Sequence, residues 1–163
     1  MLIIRKASRE DISLIRELAL KIWWPTYTRV ISDEQINFML EDMYSEESLE
    51  KQMRSGAEFI IAERENTPTG FAAYSQSDTD KRVFKIHKLY ILSSEQGKGT
   101  GKELIRHISA SAKKLGADTL ELNVNRGNNA QNFYLKSGFT IFKTVDIPYH
   151  QFVLNDYVMR KSI

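Results

Sequence analysis

Three alternating glycines, Gly97, Gly99 and Gly101, stand where the hydrophobic period of the chain changes. Before them, Arg82 to Leu92 alternates like a strand; after them, Leu104, Ile105, Ile108, Ala112 and Leu115 recur at helical spacing. A glycine-rich turn feeding a helix leaves the first helical N–H groups without partners, and small residues let a phosphate approach them. The segment can therefore hold a pyrophosphate, with Lys98 or Lys102 adding positive charge. Two common phosphate loops do not fit it. Gly101-Lys102 is followed by Glu103, and Gly97 lies only four residues before Gly101, which excludes G-x-x-x-x-G-K-[ST]. The G-x-G-x-x-G fingerprint needs a different spacing and an early place in a βαβ unit.

The flanking segments place this turn in a mixed fold. Leu2 to Ala7 reads as a strand, and Ser8 offers a cap to a helix carrying Ile12, Ile15, Leu18, Ala19 and Ile22. Trp23-Trp24-Pro25 is expected to end or bend that helix, because a residue before proline avoids the α region. Ser32 caps a second helix with Ile36, Met39, Leu40 and Met43, and a third covers Glu46 to Arg54. Glu58 to Glu63, Gly70 to Ser75 and Arg82 to Leu92 read as three antiparallel strands. Thr119 to Val124 is a strand, Asn128 to Lys136 a short helix, and Thr140 to Val145 and Phe152 to Arg160 closing strands. The expected class is three-layer α/β, with a central, mostly antiparallel sheet flanked by helices. With 163 residues, no internal repeat and no long linker, a single domain is expected.

Composition narrows the chemistry. There is no cysteine, so disulfides, thiolate nucleophiles and Cys-based metal sites are excluded, and His87, His107 and His150 lack ligand spacing. No metal is expected. Lys and Arg number 23 against 21 Asp and Glu, a surplus of +2 spread along the chain, which suits neither nucleic acid nor a membrane surface. Apolar runs such as Phe59 to Ala62 are far short of a membrane span, and the first residues read as a strand rather than a targeting segment. A cytoplasmic protein is expected.

Gln96-Gly97-Lys98-Gly99-Thr100-Gly101 resembles the Q/R-x-x-G-x-G/A signature of the GNAT superfamily of N-acetyltransferases, and Asn128, Ala130, Phe133, Tyr134, Gly138 and Phe139 resemble its second signature. Trp23, Thr26 and Tyr27 with Ser32 to Gln35, the Gly70-Phe71-Ala72 strand, and Asp156 to Met159 are similar to a bacterial branch that includes spermidine/spermine acetyltransferase-like proteins. The resemblance spans nearly the whole chain. It implies a splayed sheet, acetyl-CoA as acyl donor, and three stretches: a first strand with acceptor-side helices over 1–55, central strands with the pyrophosphate turn and helix over 56–124, and the second cofactor motif with closing strands over 125–163. It also implies a homodimer through the terminal strands.

The resemblance further implies that Gln96 to Lys102 hold the pyrophosphate and that Leu89, Tyr90 and Ile91 meet the pantetheine through the main chain, the Ile91 N–H stabilising the thioester oxygen. Asn128 is expected to touch the cofactor; where the family often carries an asparagine seven residues before the tyrosine, this chain has Gly127. Tyr134 takes the place of the general acid, a phenol that stays protonated at neutral pH. His87 is the candidate base, sharing a strand face with Leu89 and Ile91 by period-two alternation; a histidine packed beside the next helix or exposed on the sheet satisfies the same pattern. His150 is a candidate cleft residue and His107 a surface one. For the acceptor, Trp23, Trp24 and Tyr27 offer aromatic faces to an alkylamine, while Asp33, Glu34, Glu41 and Asp42 form an acidic cluster suited to a polyamine or simply a solvated helix face. The expected reaction is acetyl transfer to a primary amine of a small molecule; transfer to a peptide and a noncatalytic acyl-CoA-binding module are the alternatives.

Overall fold

The computed structural model describes residues 1–163. Its strands are β1 (Leu2–Lys6), β2 (Glu58–Arg64), β3 (Thr67–Gln76), β4 (Val83–Ile91), β5 (Thr119–Asn125), β6 (Thr140–Tyr149) and β7 (Phe152–Ser162). Its helices are α1 (Ile12–Tyr27), α2 (Asp33–Tyr44), α3 (Glu46–Arg54), α4 (Thr100–Lys114) and α5 (Ala130–Lys136).

All seven strands form one sheet in the order β1-β2-β3-β4-β5-β7-β6. Every neighbouring pair is antiparallel except β4 and β5, which run parallel because α4 carries the chain across between them. On one face, Ile60, Ala72, Ile86 and Leu122 pack with Leu104, Ile105 and Ile108 of α4 and with Tyr134 of α5. On the other, Phe59, Ile61, Phe71 and Ala73 pack with Ile15, Leu18, Ile36 and Leu49 of the first three helices. Burial of these two apolar stripes organises the three layers. Leu115, expected on the buried stripe of α4, is instead its C-cap and 67% exposed.

α1 does not stop at Trp24. It runs through Pro25 to Tyr27, and the Thr28 N–H still reaches the Trp24 carbonyl at 3.0 Å. Proline removes one helical donor, but in the last turn the carbonyl it would have served belongs to exposed Lys21. The Thr26 hydroxyl donates to the Ile22 carbonyl at 2.6 Å, and the Trp23 and Tyr27 rings pack at a tilt with their centroids 4.6 Å apart. Those contacts hold the turn.

The feature that shapes the site lies in β4. Tyr74 pairs with Ile86 but Ala73 pairs with Lys88, so His87 is an extra residue, a β-bulge. Pairing with β5 ends at Ile86 and Leu122, although β4 continues to Ile91. The sheet therefore splits beyond the bulge.

Candidate active site

The turn before α4 is built to bind an anion. Gly97 and Gly99 have φ of 81° and 85°, conformations that a side chain resists, and a Cβ at either would meet nothing within 4 Å. The N–H groups of Gly97, Gly99, Thr100, Gly101 and Lys102 have no acceptor in the chain, and no side chain caps the helix. These open donors at a helix N-terminus fit a pyrophosphate. Gly101 has a different task. A Cβ there would lie 2.8 Å from Phe133 Cζ and 3.2 Å from Ile91 Cδ1, so it lets α4 close against α5 and β4.

A buried carboxylate holds the turn. Glu95 is 4% exposed and accepts from Arg64 Nε at 2.5 Å and Thr100 Oγ1 at 2.8 Å, with Lys98 Nζ at 3.9 Å. Burial would raise this carboxyl; the bonds from Arg64 and Thr100 outweigh it and leave it lowered. Next to the turn, a groove of about 680 Å³ runs between α4 and α5, lined by Lys102, Arg106, Lys113, Lys136 and Lys161. Its cations suit the remaining phosphate of a coenzyme A nucleotide. Apart from Lys102, these were not among the residues singled out from the sequence, although Lys102, Arg106 and Lys113 share one helix face.

Past the split, the main chain of β4 becomes available. Leu92 donates to Thr69 at 2.9 Å, so by antiparallel alternation Tyr90 and Lys88 aim their amides at β3 while Leu89 and Ile91 aim theirs across the gap toward β5. Gly70 makes this possible, since a Cβ there would meet the Tyr90 carbonyl oxygen at 2.7 Å and Ile91 Cγ2 at 2.8 Å. Tyr134 stands beside the split, 7% exposed, with its ring against Phe133 and Phe139. Its hydroxyl has no hydrogen-bond partner in the chain. Burial, with the nearby Tyr27, pushes this phenol well above its ordinary pKa and keeps it protonated.

The face opposite α4 is lined with aromatic rings. The Tyr27 and Tyr90 hydroxyls are 2.9 Å apart, and Trp23 packs tilted or edge-on against Tyr27, Tyr44 and Tyr90 at centroid distances of 4.6, 5.6 and 5.7 Å. Trp23 is buried, with its Nε1 lacking any acceptor. Trp24 packs at the edge of this cluster. Lys88 is 8% exposed, places its amine 4.8 Å over the Tyr44 ring, and has no carboxylate partner. Burial lowers its pKa to about 8. Neither Lys88 nor Tyr44 carries a motif that would have drawn attention.

The other sequence candidates are more dispersed. The bulge turns His87 away from the face of Leu89 and Ile91; its ring is exposed and hydrogen-bonded to Ser75 at 2.6 Å. Burial of its inner edge, together with Lys88 and Lys85, lowers its pKa to about 4, so it is neutral at physiological pH. Asp33 and Glu34 are exposed on the first turn of α2, where they complement the helix dipole beside the Ser32 cap. Asn128 accepts the Ala130 N–H at 2.9 Å and lies beside the Tyr27 hydroxyl. Gly127 admits the α1–α2 turn, since a Cβ there would lie 3.1 Å from Val30 Cγ1. Gln96 is exposed at the start of the glycine-rich turn. His150, at φ 53°, forms the β6–β7 turn, its Nε2 3.7 Å from Asp42, and packs on Phe38 of α2.

Comparison with known proteins agrees with this arrangement. Residues 27–146 match the acetyltransferase (GNAT) domain family. The chain is 30% identical to a spermidine N(1)-acetyltransferase of Thermoplasma acidophilum, covering 98% of this chain and 96% of that protein. Its fold superposes with a TM-score of 0.84 on the PaiA N-acetyltransferase of Thermoplasma acidophilum in complex with coenzyme A, at 27% identity over 100% of this chain and 99% of the other. A GCN5-related N-acetyltransferase of Rhodopseudomonas palustris, 22% identical, shares the fold with a TM-score of 0.83 over 99% of this chain and 95% of that one. With the open donors before α4, the split between β4 and β5 and these relationships in agreement, the chain belongs to the GNAT family of acetyl-CoA-dependent N-acetyltransferases.

Proposed function

We propose that the acceptor is a primary amine of a small molecule, with a polyamine as the substrate class, and that transfer occurs directly within a ternary complex. The observation that carries this reading is the unpartnered Tyr134 hydroxyl, which stands at the sheet split between the anion-binding turn and the aromatic face. The spermidine-acetylating relative and the aromatic floor of Trp23, Tyr27 and Tyr90 favour an alkylamine.

When bound, acetyl-CoA supplies the thioester carbonyl and the thiolate leaving group. The free N–H groups from Gly97 to Lys102 hold its pyrophosphate, and the Leu89 and Ile91 main chain orients its arm, the Ile91 N–H facing the carbonyl oxygen. Asn128 contributes from the far side of the split. Tyr134 gives its phenolic proton to the departing sulfur. Tyr27, whose ring packs on buried Trp23, positions the acceptor, and Asp33 and Glu34 on the exposed first turn of α2 are the carboxylates we assign to its second positive charge. His87, the base suggested by the sequence, is neutral but held by Ser75 at the bulge.

CoA release from acetyl-CoA is the direct test, measured across polyamines, arylalkylamines, aminoglycosides, amino acids and short peptides against a no-acceptor control. Turnover confined to polyamines is the expected result, and turnover confined to peptides overturns it. We read the protein as cytoplasmic and homodimeric; the exposed Ile141 and Phe142 on edge strand β6 suit a second copy, and light scattering tests it.

A further inference from the structure

We infer that Asp156, braced by Asn123, is the group that takes the proton from the incoming ammonium of the acceptor. The inference rests on the acetyl-transfer reading above and names a residue within that site.

Asp156 lies on β7, where Met159 and Tyr157 face α4, so alternation turns Asp156 toward the aromatic face. It is 8% exposed, and no Lys or Arg side chain forms an ion pair with it. Its carboxylate accepts from Asn123 Nδ2 at 3.3 Å, while the Asn123 Oδ1 is buried with no donor. Oxygen acceptors therefore outnumber donors at this spot, and an ammonium from outside would restore the balance.

The neighbouring cations are committed elsewhere. Arg126 donates to the main-chain carbonyls of Val145 and Asp156 at 2.9 and 3.1 Å and to Asp146 at 2.7 Å, and Lys85 lies 3.8 Å from Glu121. Around the carboxylate stand Asn123 of β5, Tyr27 of α1, Lys85 of β4 and Arg126 from the turn after β5. Burial raises its pKa, opposed by Asn123, Arg126 and Lys85, which makes it a better proton acceptor than a solvated carboxylate. The Tyr27 hydroxyl is within electrostatic reach of both Asp156 and Tyr134.

The protons balance. One passes from the ammonium to Asp156, leaving a neutral amine whose lone pair forms the C–N bond as the C–S bond breaks. The nitrogen then loses a second proton while the sulfur gains one; Tyr134 supplies the latter and is reprotonated by the former. Asp156 releases its proton to solvent, and the products are an amide, a free thiol and one proton.

The test is the pH dependence of kcat/KM for the best amine in wild type, Asp156→Asn, Asn123→Ala and His87→Gln, with CoA affinity measured by calorimetry. Asp156→Asn should lower kcat/KM at pH 7 by about a hundredfold or more, leave CoA affinity within about twofold, and make the rate climb with pH toward the amine's own pKa. A fluorinated alkylamine, already neutral at pH 7, should lose less than about tenfold from the same change. Asn123→Ala should move the acid limb to higher pH and serves as the readout if Asp156→Asn does not fold. A wild-type profile in Asp156→Asn, an acid limb abolished by His87→Gln instead, or parallel loss of CoA binding overturns the inference. A wild-type chain that turns over no amine retires the transfer reading itself.

Discussion

The phenol oxygens of Tyr27 and Tyr90 lie 2.9 Å apart, tying the last turn of α1 to the strand end that borders the split in the sheet. Because α1 continues through Pro25, Tyr27 reaches this position. Burial raises both phenols, so the pair is a neutral hydrogen bond. Tyr27→Phe removes one partner and leaves Tyr90 unmatched, a loss of about 1 kcal/mol. The expected result is a KM for the amine raised several-fold with CoA affinity unchanged, measured by steady-state kinetics and calorimetry. Equal losses in both would assign Tyr27 to the packing of the whole cleft.

Tyr134→Phe separates chemistry from structure cleanly, because the hydroxyl it removes satisfies nothing in the chain. Thermal stability should stay within about 1 kcal/mol, since the ring contacts with Phe133 and Phe139 survive. Turnover should fall by about a hundredfold or more if the phenol protonates sulfur. Rapid turnover in the variant would remove Tyr134 from the mechanism.

Much of this architecture is legible in the sequence. Glycine spacing, the change of period across Gly97 to Gly101 and the Ser32 cap on Gln35 all report local geometry, which neighbouring residues determine. What escapes is set by pairing at long range. The bulge at His87 shows no sequence mark, yet it reverses which β4 side chains face α1 and brings Lys88 and Tyr90 to that side. Asn123 and Asp156 meet only because β5 pairs with β7, 33 residues apart in the chain. Pro25 misleads for the opposite reason, since tertiary contacts by Trp23 and Tyr27 override a local preference.

Glu95 links β2 to the glycine-rich turn through Arg64 and Thr100, so Glu95→Ala should unmoor the turn and leave Arg64 without its partner. A loss of about 3 kcal/mol in stability is expected, together with a CoA affinity weakened about tenfold or more. The carboxyl's lowered pKa makes its contribution complete above the ordinary value of 4.5, and it is lost as pH falls through the lower folded value. Chemical denaturation of wild type and variant at neutral and acid pH should therefore converge at low pH. A variant as stable as wild type at pH 7 would contradict this account.

Gly70 and Gly101 are packing glycines, and their substitutions should differ in kind from those in the turn. Gly70→Ala pushes a methyl against the Tyr90 carbonyl at 2.7 Å, a backbone atom that cannot yield without moving β4, and about 1–3 kcal/mol of stability should be lost. Gly97→Ala meets no atom within 4 Å but must hold φ near 81°, so its cost is conformational, about 1–2 kcal/mol. Thermal melts rank the two. A melting temperature unchanged by Gly70→Ala would show that β3 and β4 have room to spare.

Lys88 provides the last test, because its amine is buried over Tyr44 without a counter-charge. Burial moves it from 10.5 to about 8, which corresponds to about 3 kcal/mol against the charged form. Between those two values the unfolded chain keeps a proton that the folded chain has released, so rising pH favours the folded state across that window. Lys88→Met keeps the aliphatic stem, forgoes the cation–π contact of about 1 kcal/mol, and removes the larger burial cost. The variant should be more stable than wild type by about 1–3 kcal/mol at pH 7, and the gap should narrow as pH rises toward 9.5. Urea titrations at pH 7, 8.5 and 9.5 measure it. A gap that stays constant over that range would mean that the Lys88 amine is solvated in the folded protein.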